Sequence, residues 1–178
     1  MPGGCRGAGS YAGQRGLSDP DAMLRDMTSW RDLAAAEPHF AAQVRRTFAV
    51  RKHATLATLR RDGSPRISGT EVEFDDDAGE VFLGSMPGAL KALDLRRDAR
   101  LALHCPTEDP PQGDPRSWLG DGKMAGTAVE VSPPDDDAPH RFRIDLTEVV
   151  LTRVGEPADH LIVESWHPGR GLERLTRR

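Results

Sequence analysis

Cysteine is nearly missing from this chain. Cys5 and Cys105 are the only two, one in a glycine-rich head and one in an apolar run, so neither a disulfide framework nor a cysteine metal site is expected. Aromatic residues are also few, at 5 %, which limits the core that one copy can build alone. There is no excess of positive charge. The formal charge is −4 and the pI about 5.9, with lysines and arginines scattered among acids, which argues against a nucleic-acid partner. No stretch approaches the roughly 18 consecutive apolar residues of a membrane helix, and the head has no apolar segment of the kind a secretion signal needs. A cytoplasmic protein without membrane or nucleic-acid contacts is therefore expected. GxGxxG, P-loop, HExxH and GxSxG patterns are all absent, as is any internal repeat.

What remains is 178 residues with 18 Gly and 14 Pro, enough for one domain with long loops. Residues 1–26 are rich in Gly, Ser and Ala without apolar periodicity, and are read as a dispensable disordered extension. The folded domain is expected over 27–178. It opens with two helices. Thr28 or Ser29 can cap the first, with Asp32 at capping-box distance from Ser29, and Pro38 suits the first turn of the second, whose Phe40, Val44 and Phe48 form one apolar stripe.

From His53 the residues become small and β-branched, with Asp62-Gly63 marking a hairpin turn. Strands are expected at GEVFLGS, ARLALHC, KMAGTAVEV, 141–154 and HLIVESW, with a short basic helix between the first two and a long Pro/Gly/Asp loop at 106–122. Six or seven short strands with short connections predict a mainly β fold, an antiparallel barrel with a few helices.

GSMPGALK, at 84–91, is the most informative segment. Ser85 reads as a helix cap, Pro87 as a first-turn residue and Lys91 as a cation close behind, which describes either a phosphate seat or a plain capped helix with a solvated lysine. Arg96 and Arg97 suit the helix C-terminus structurally. The acidic triplets Asp75, Asp76, Asp77 and Asp135, Asp136, Asp137 read as solvated turns, and the six histidines show no ligand spacing, so no metal is expected. Trp118 and Trp166 are candidates to stack on a planar ligand or to act as a lid.

Taken in order, HATLATLRRDGSPRISGTEV, VFLGSMPGALKALDLRRDARLALH, WLGDGKMAGTAVEV and WHPGRGLERL resemble the pyridoxamine 5′-phosphate oxidase-like FMN-binding split-barrel superfamily. They look most like its actinobacterial branch of flavin- or deazaflavin-dependent oxidoreductases. The resemblance implies a six-stranded antiparallel split β-barrel with N-terminal helices, a homodimer that holds FMN or the deazaflavin coenzyme F-420 in interface grooves. It implies cofactor contacts at Arg66, Ile67 and Ser68 on the second strand and at Ser85, Met86 and Lys91 near the phosphate. Glu71 stands where the namesake enzymes carry a basic residue, so pyridoxamine phosphate is not the implied substrate. Leu90 before Lys91 leaves a single cation, which suits the diester monoanion of the deazaflavin better than the FMN dianion. The implied activity is hydride transfer between the cofactor and a small conjugated organic molecule, with no catalytic side chain named. The alternative is a non-catalytic carrier of flavin, haem or tetrapyrrole on the same barrel.

Overall fold

The computed structural model describes residues 28–131 and 137–178. The expectations for 1–26, and for Asp135 and Asp136, lie outside the described residues.

Ser29 begins the fold as anticipated. Its Oγ accepts from the Asp32 N–H at 3.2 Å while Asp32 Oδ2 accepts from the Ser29 N–H at 3.2 Å, a reciprocal cap that starts α1, Trp30–Ala36. Pro38 then opens α2, Pro38–Phe48. Phe40, Val44 and Phe48 are all buried on one face of α2, and Trp30 packs edge-on to Phe74 of the sheet at 4.8 Å between ring centres. The two helices thus spend their apolar stripe on the barrel wall.

The strands are β1 His53–Leu59, β2 Pro65–Asp75, β3 Glu80–Ser85, β4 Arg100–His104, β5 Asp121–Glu130, β6 His140–Val154, β7 Leu161–His167 and β8 Gly171–Arg177, with helix α3, Leu90–Arg97, between β3 and β4. They pair antiparallel in the order β3-β2-β1-β4-β5-β6, and β3 also pairs with β6. That second pairing closes a six-stranded antiparallel barrel. Alternation along each strand sends one set of side chains inward: Leu56, Leu83, Met124, Phe142, Ile144 and Leu151 are all essentially inaccessible. Fully burying a side chain of this size is worth about 1.5–3 kcal/mol, so these positions dominate the stability of the barrel.

β6 pairs with β5 along one edge and with two strands, β3 and β7, along the other. Its first half closes the barrel, and its second half, from Val149, carries the β7–β8 hairpin. The ladder between β5 and β6 shifts register at Ala125/Gly126, where a Cβ on Gly126 would overlap the Asp145 carbonyl; the bare glycine lets β5 bend there. β8 is an addition to the expected strands. Its residues lie mostly in solvent, so Gly171–Arg177 carries no buried alternation that could mark it in the sequence.

Candidate functional site

Three recesses surround α3 and β2. The first, about 500 Å³, lies between β2 and the β3–α3 connection, walled by Gly69, Gly84, Ser85, Met86 and Lys91. Its geometry starts with the chain after β3. Ser85 ends the strand, and Met86-Pro87-Gly88-Ala89 makes a tight turn closed by Ala89 N–H to the Met86 carbonyl at 3.2 Å, with Gly88 at φ 66°. Proline then glycine at the centre is what such a turn requires. Helix α3 starts only at Leu90, its cap is Ala89, and no side chain caps it. The expected Ser85 cap is therefore corrected: the turn separates Ser85 from the helix by a full reverse of the chain. The Ser85 hydroxyl is instead buried, without a hydrogen-bond partner among the described residues, opposite His140 in the β3–β6 ladder.

Lys91 is the second residue of α3 and donates from Nζ to the Gly69 carbonyl at 2.7 Å. Partial burial pulls its ammonium below the ordinary lysine value, against the opposing field of Glu71. Glu71 itself sits beside Lys52 and His53, at 3.0 and 3.6 Å. The two glycines of the wall are bare. A Cβ placed on Gly69 or Gly84 would meet nothing within 4 Å, so it would project into the recess.

The second recess, about 520 Å³, lies on the other flank of α3, under the β1–β2 turn, with Arg60, Arg61, Arg66 and Arg97 around Leu90 and Leu93. Its floor is Asp94, a helix carboxylate only 3 % exposed. Asp94 accepts from Arg66 Nε at 2.6 Å, Thr58 Oγ1 at 3.0 Å and Arg97 at 3.0 Å, and Arg97 also reaches the Leu59 carbonyl. Burial works to raise the Asp94 carboxyl, but the hydrogen bonds from Arg66, Arg97 and Thr58 outweigh it and hold the group below its usual range. Arg96 on the same helix pairs with Glu130 at 2.7 Å, so both terminal arginines have the structural work expected of them.

The third recess, about 430 Å³, is a shallow apolar hollow on the outer face of the barrel, with Ile67, Ala57, Ala102, Ala125 and Val150. Ile67 is 75 % exposed.

The six residues expected along a cofactor therefore fall in different places. Ser85, Met86 and Lys91 come together in the first recess, Arg66 lies in the second and Ile67 in the third, while Ser68 is half-buried between them. Alternation along β2 puts Ile67, Gly69 and Glu71 on one face, which links the third recess to the first. The tryptophans lie elsewhere. Trp118 donates from Nε1 to the Glu108 carbonyl at 2.7 Å and lines a hollow with Gln43, Arg46 and Arg153. Trp166 is 5 % exposed and belongs to the core; a ring so enclosed packs, and its expected role on a ligand or as a lid is corrected accordingly. Gly69, Gly84 and Asp94 were not singled out in the sequence, because a bare wall and a buried helix carboxylate become visible only once β2 meets α3.

No protein-family model and no curated protein matches this chain. Solved structures do. A pyridoxamine 5′-phosphate oxidase-related, FMN-binding protein from Nostoc punctiforme superposes with a TM-score of 0.55, at 12 % identity over 80 % of this chain and 96 % of that one. The fold is a split barrel. PhzG from Burkholderia lata, in complex with tetrahydrophenazine-1-carboxylic acid, superposes with a TM-score of 0.52, at 14 % identity over 92 % of this chain and 94 % of that one. No described helix is long and apolar enough to cross a membrane.

Proposed function

We propose that this split barrel is an oxidoreductase that holds coenzyme F-420 or FMN along the outer face of β2 and serves hydride transfer to or from a small conjugated organic substrate. The observation that carries the reading is the first recess: two strand glycines leave its walls bare while Lys91 stands at its helical end. A flat ring system needs a wall without side chains, and an anionic tail needs a cation or free N–H groups at the end of that wall. The FMN-binding protein of the same fold supports this choice of ligand class.

When bound, such a cofactor supplies the hydride chemistry itself. The chain contributes binding and orientation. Met86 and the Pro87-Gly88 turn would border the anionic end, Lys91 would supply the cation that holds it, and the buried Ser85 hydroxyl backs the same wall. Ile67 flanks the ring position on β2, and Ser68, whose side chain turns to the opposite face, contributes through the strand backbone. Arg66 acts through Asp94: the pair fixes β2 against α3, so the strand and Lys91 keep their spacing. One lysine preceded by Leu90 favours the monoanionic diester of the deazaflavin.

The apolar outer face around Ile67 is proposed to meet a second copy, giving a homodimer that covers the third recess and excludes water from the ring. Absorption spectra of the purified protein, alone and after addition of FMN or coenzyme F-420, test the reading. A flavin- or deazaflavin-type spectrum that stays with the protein through gel filtration supports it, and a protein that retains neither contradicts it.

A further inference from the structure

Where β4 ends and β5 begins, His104, Cys105 and Asp121 bring a nitrogen, a sulfur and an oxygen donor within 4.8 Å of one another. We propose that this cluster binds one Zn²⁺ ion, with His104 Nε2, Cys105 Sγ and an Asp121 carboxylate oxygen as ligands and water in the remaining position.

The hydrogen bonds around the cluster prepare each donor. His104 Nδ1 lies 2.8 Å from the Cys105 carbonyl oxygen. A carbonyl can only accept, so Nδ1 carries a hydrogen and Nε2 is the ring nitrogen left to coordinate an ion. Nε2 faces Asp121 Oδ2 at 3.9 Å. The span is near the ~3.4 Å separating two ligand atoms on a tetrahedral zinc with bonds of about 2.0–2.2 Å, so one ion fits between them. The other carboxylate oxygen of Asp121 is buried and meets no donor among the described residues.

Cys105 completes the set from the inside. Its sulfur, 2 % exposed as a residue, accepts from the Gly122 backbone N–H at 3.1 Å, the kind of outer hydrogen bond that steadies a metal-bound thiolate. Gly122 is pressed against α2, where any Cβ would overlap Thr47 Oγ1, so β5 cannot drift away from Cys105. His104 and Asp121 keep side-chain exposures of 35 % and 24 %, which gives an ion a way in and leaves an open position for water. Imidazole, thiolate and carboxylate together suit a borderline cation such as Zn²⁺ better than Mg²⁺ or Ca²⁺, which take oxygen ligands.

Cobalt is the spectroscopic stand-in. The full chain is made as a Cys5→Ser variant, so that Cys105 is the single thiol, and titrated with Co²⁺ under reducing conditions. The expected result is a thiolate-to-cobalt absorption that saturates at one ion per chain, bleaches on addition of Zn²⁺, and disappears in Cys105→Ser. Because Cys105 lies in the core and its variants can unfold, His104→Ala and Asp121→Asn carry the test separately. Each should keep the metal-free melting temperature and weaken Zn²⁺ binding by about tenfold or more, the scale on which zinc sites respond to loss of a supporting group. No thiolate absorption in the parent chain, or Zn²⁺ affinity unchanged in both variants, overturns the site.

Discussion

Asp94 Oδ2 lies 2.6 Å from Arg66 Nε, and this one contact joins helix α3 to strand β2 across the floor of a recess. The carboxylate is buried and shared with Thr58 and Arg97, so its removal strands two guanidinium groups and a hydroxyl. Breaking a buried pair costs 3–5 kcal/mol in general; Arg66 is 21 % exposed at its side chain, so about 2–4 kcal/mol is expected for Asp94→Asn. Urea unfolding at pH 7 measures it. A loss below about 0.5 kcal/mol would assign the contact to the surface class.

The same group sets an acid dependence. Its folded carboxyl titrates below the unfolded value of about 3.9, so its stabilisation is fully present above that value and is lost as pH falls through the folded one. Asp98 adds to the trend, held at about 2 by its Arg100 hydrogen bond, with a smaller effect because Arg100 is exposed. The gap in unfolding free energy between the parent and Asp94→Asn should therefore shrink as pH drops below about 4. A gap that is constant from pH 7 to 3 contradicts the assignment.

Gly69→Val and Gly84→Val separate stability from binding. Both glycines lie in strands with open space beyond the Cα and without positive φ, and valine favours strands, so melting temperatures should hold or rise. Cofactor affinity should drop at least tenfold, because the added side chain occupies the recess. Loss of stability with retained affinity would place the ligand elsewhere.

Lys91→Ala should weaken cofactor binding by about 1.5–3 kcal/mol, the range for a charge-assisted hydrogen bond, and cost folding about 1 kcal/mol or less through the lost bond to Gly69. Arg97→Ala should show the reverse balance, since Arg97 is tied to Asp94 and Leu59. Isothermal titration beside thermal melts reads both. Equal affinity losses would mean a diffuse charge effect.

Ile67 tests the dimer. Light scattering at micromolar concentration should give about twice the 19.4 kDa chain mass, and Ile67→Glu, on a residue 75 % exposed in the single chain, should give monomers of unchanged melting behaviour at low concentration. A parent chain that scatters as a monomer removes the interface from the account.

Much of the barrel was legible where its cause is local. Asp62-Gly63 sets a hairpin through its own turn chemistry, and Ser29 with Asp32 announces a helix within four residues. The closure of β3 on β6 was not readable, because Leu83 and Phe142 are partners only through the paths of four other strands. The segment at 84–91 was right in composition and wrong in detail: Pro87 was read as a helical residue, whereas the Gly88 that follows turns the same proline into the corner of a reverse turn. Neither the burial of Asp94 nor the meeting of His104 with Asp121 has a signal in the sequence. In each case burial or juxtaposition comes from a second element, and periodicity carries no record of it.

The most direct test of the central claim is a titration of the intact protein with coenzyme F-420 and with FMN, followed by ligand fluorescence and repeated with Gly84→Val. The account predicts saturable binding of one or both at one ligand per chain, weakened at least tenfold by the valine at equal melting temperature. Binding of neither ligand by a folded parent chain, or equal binding by the variant, would contradict it.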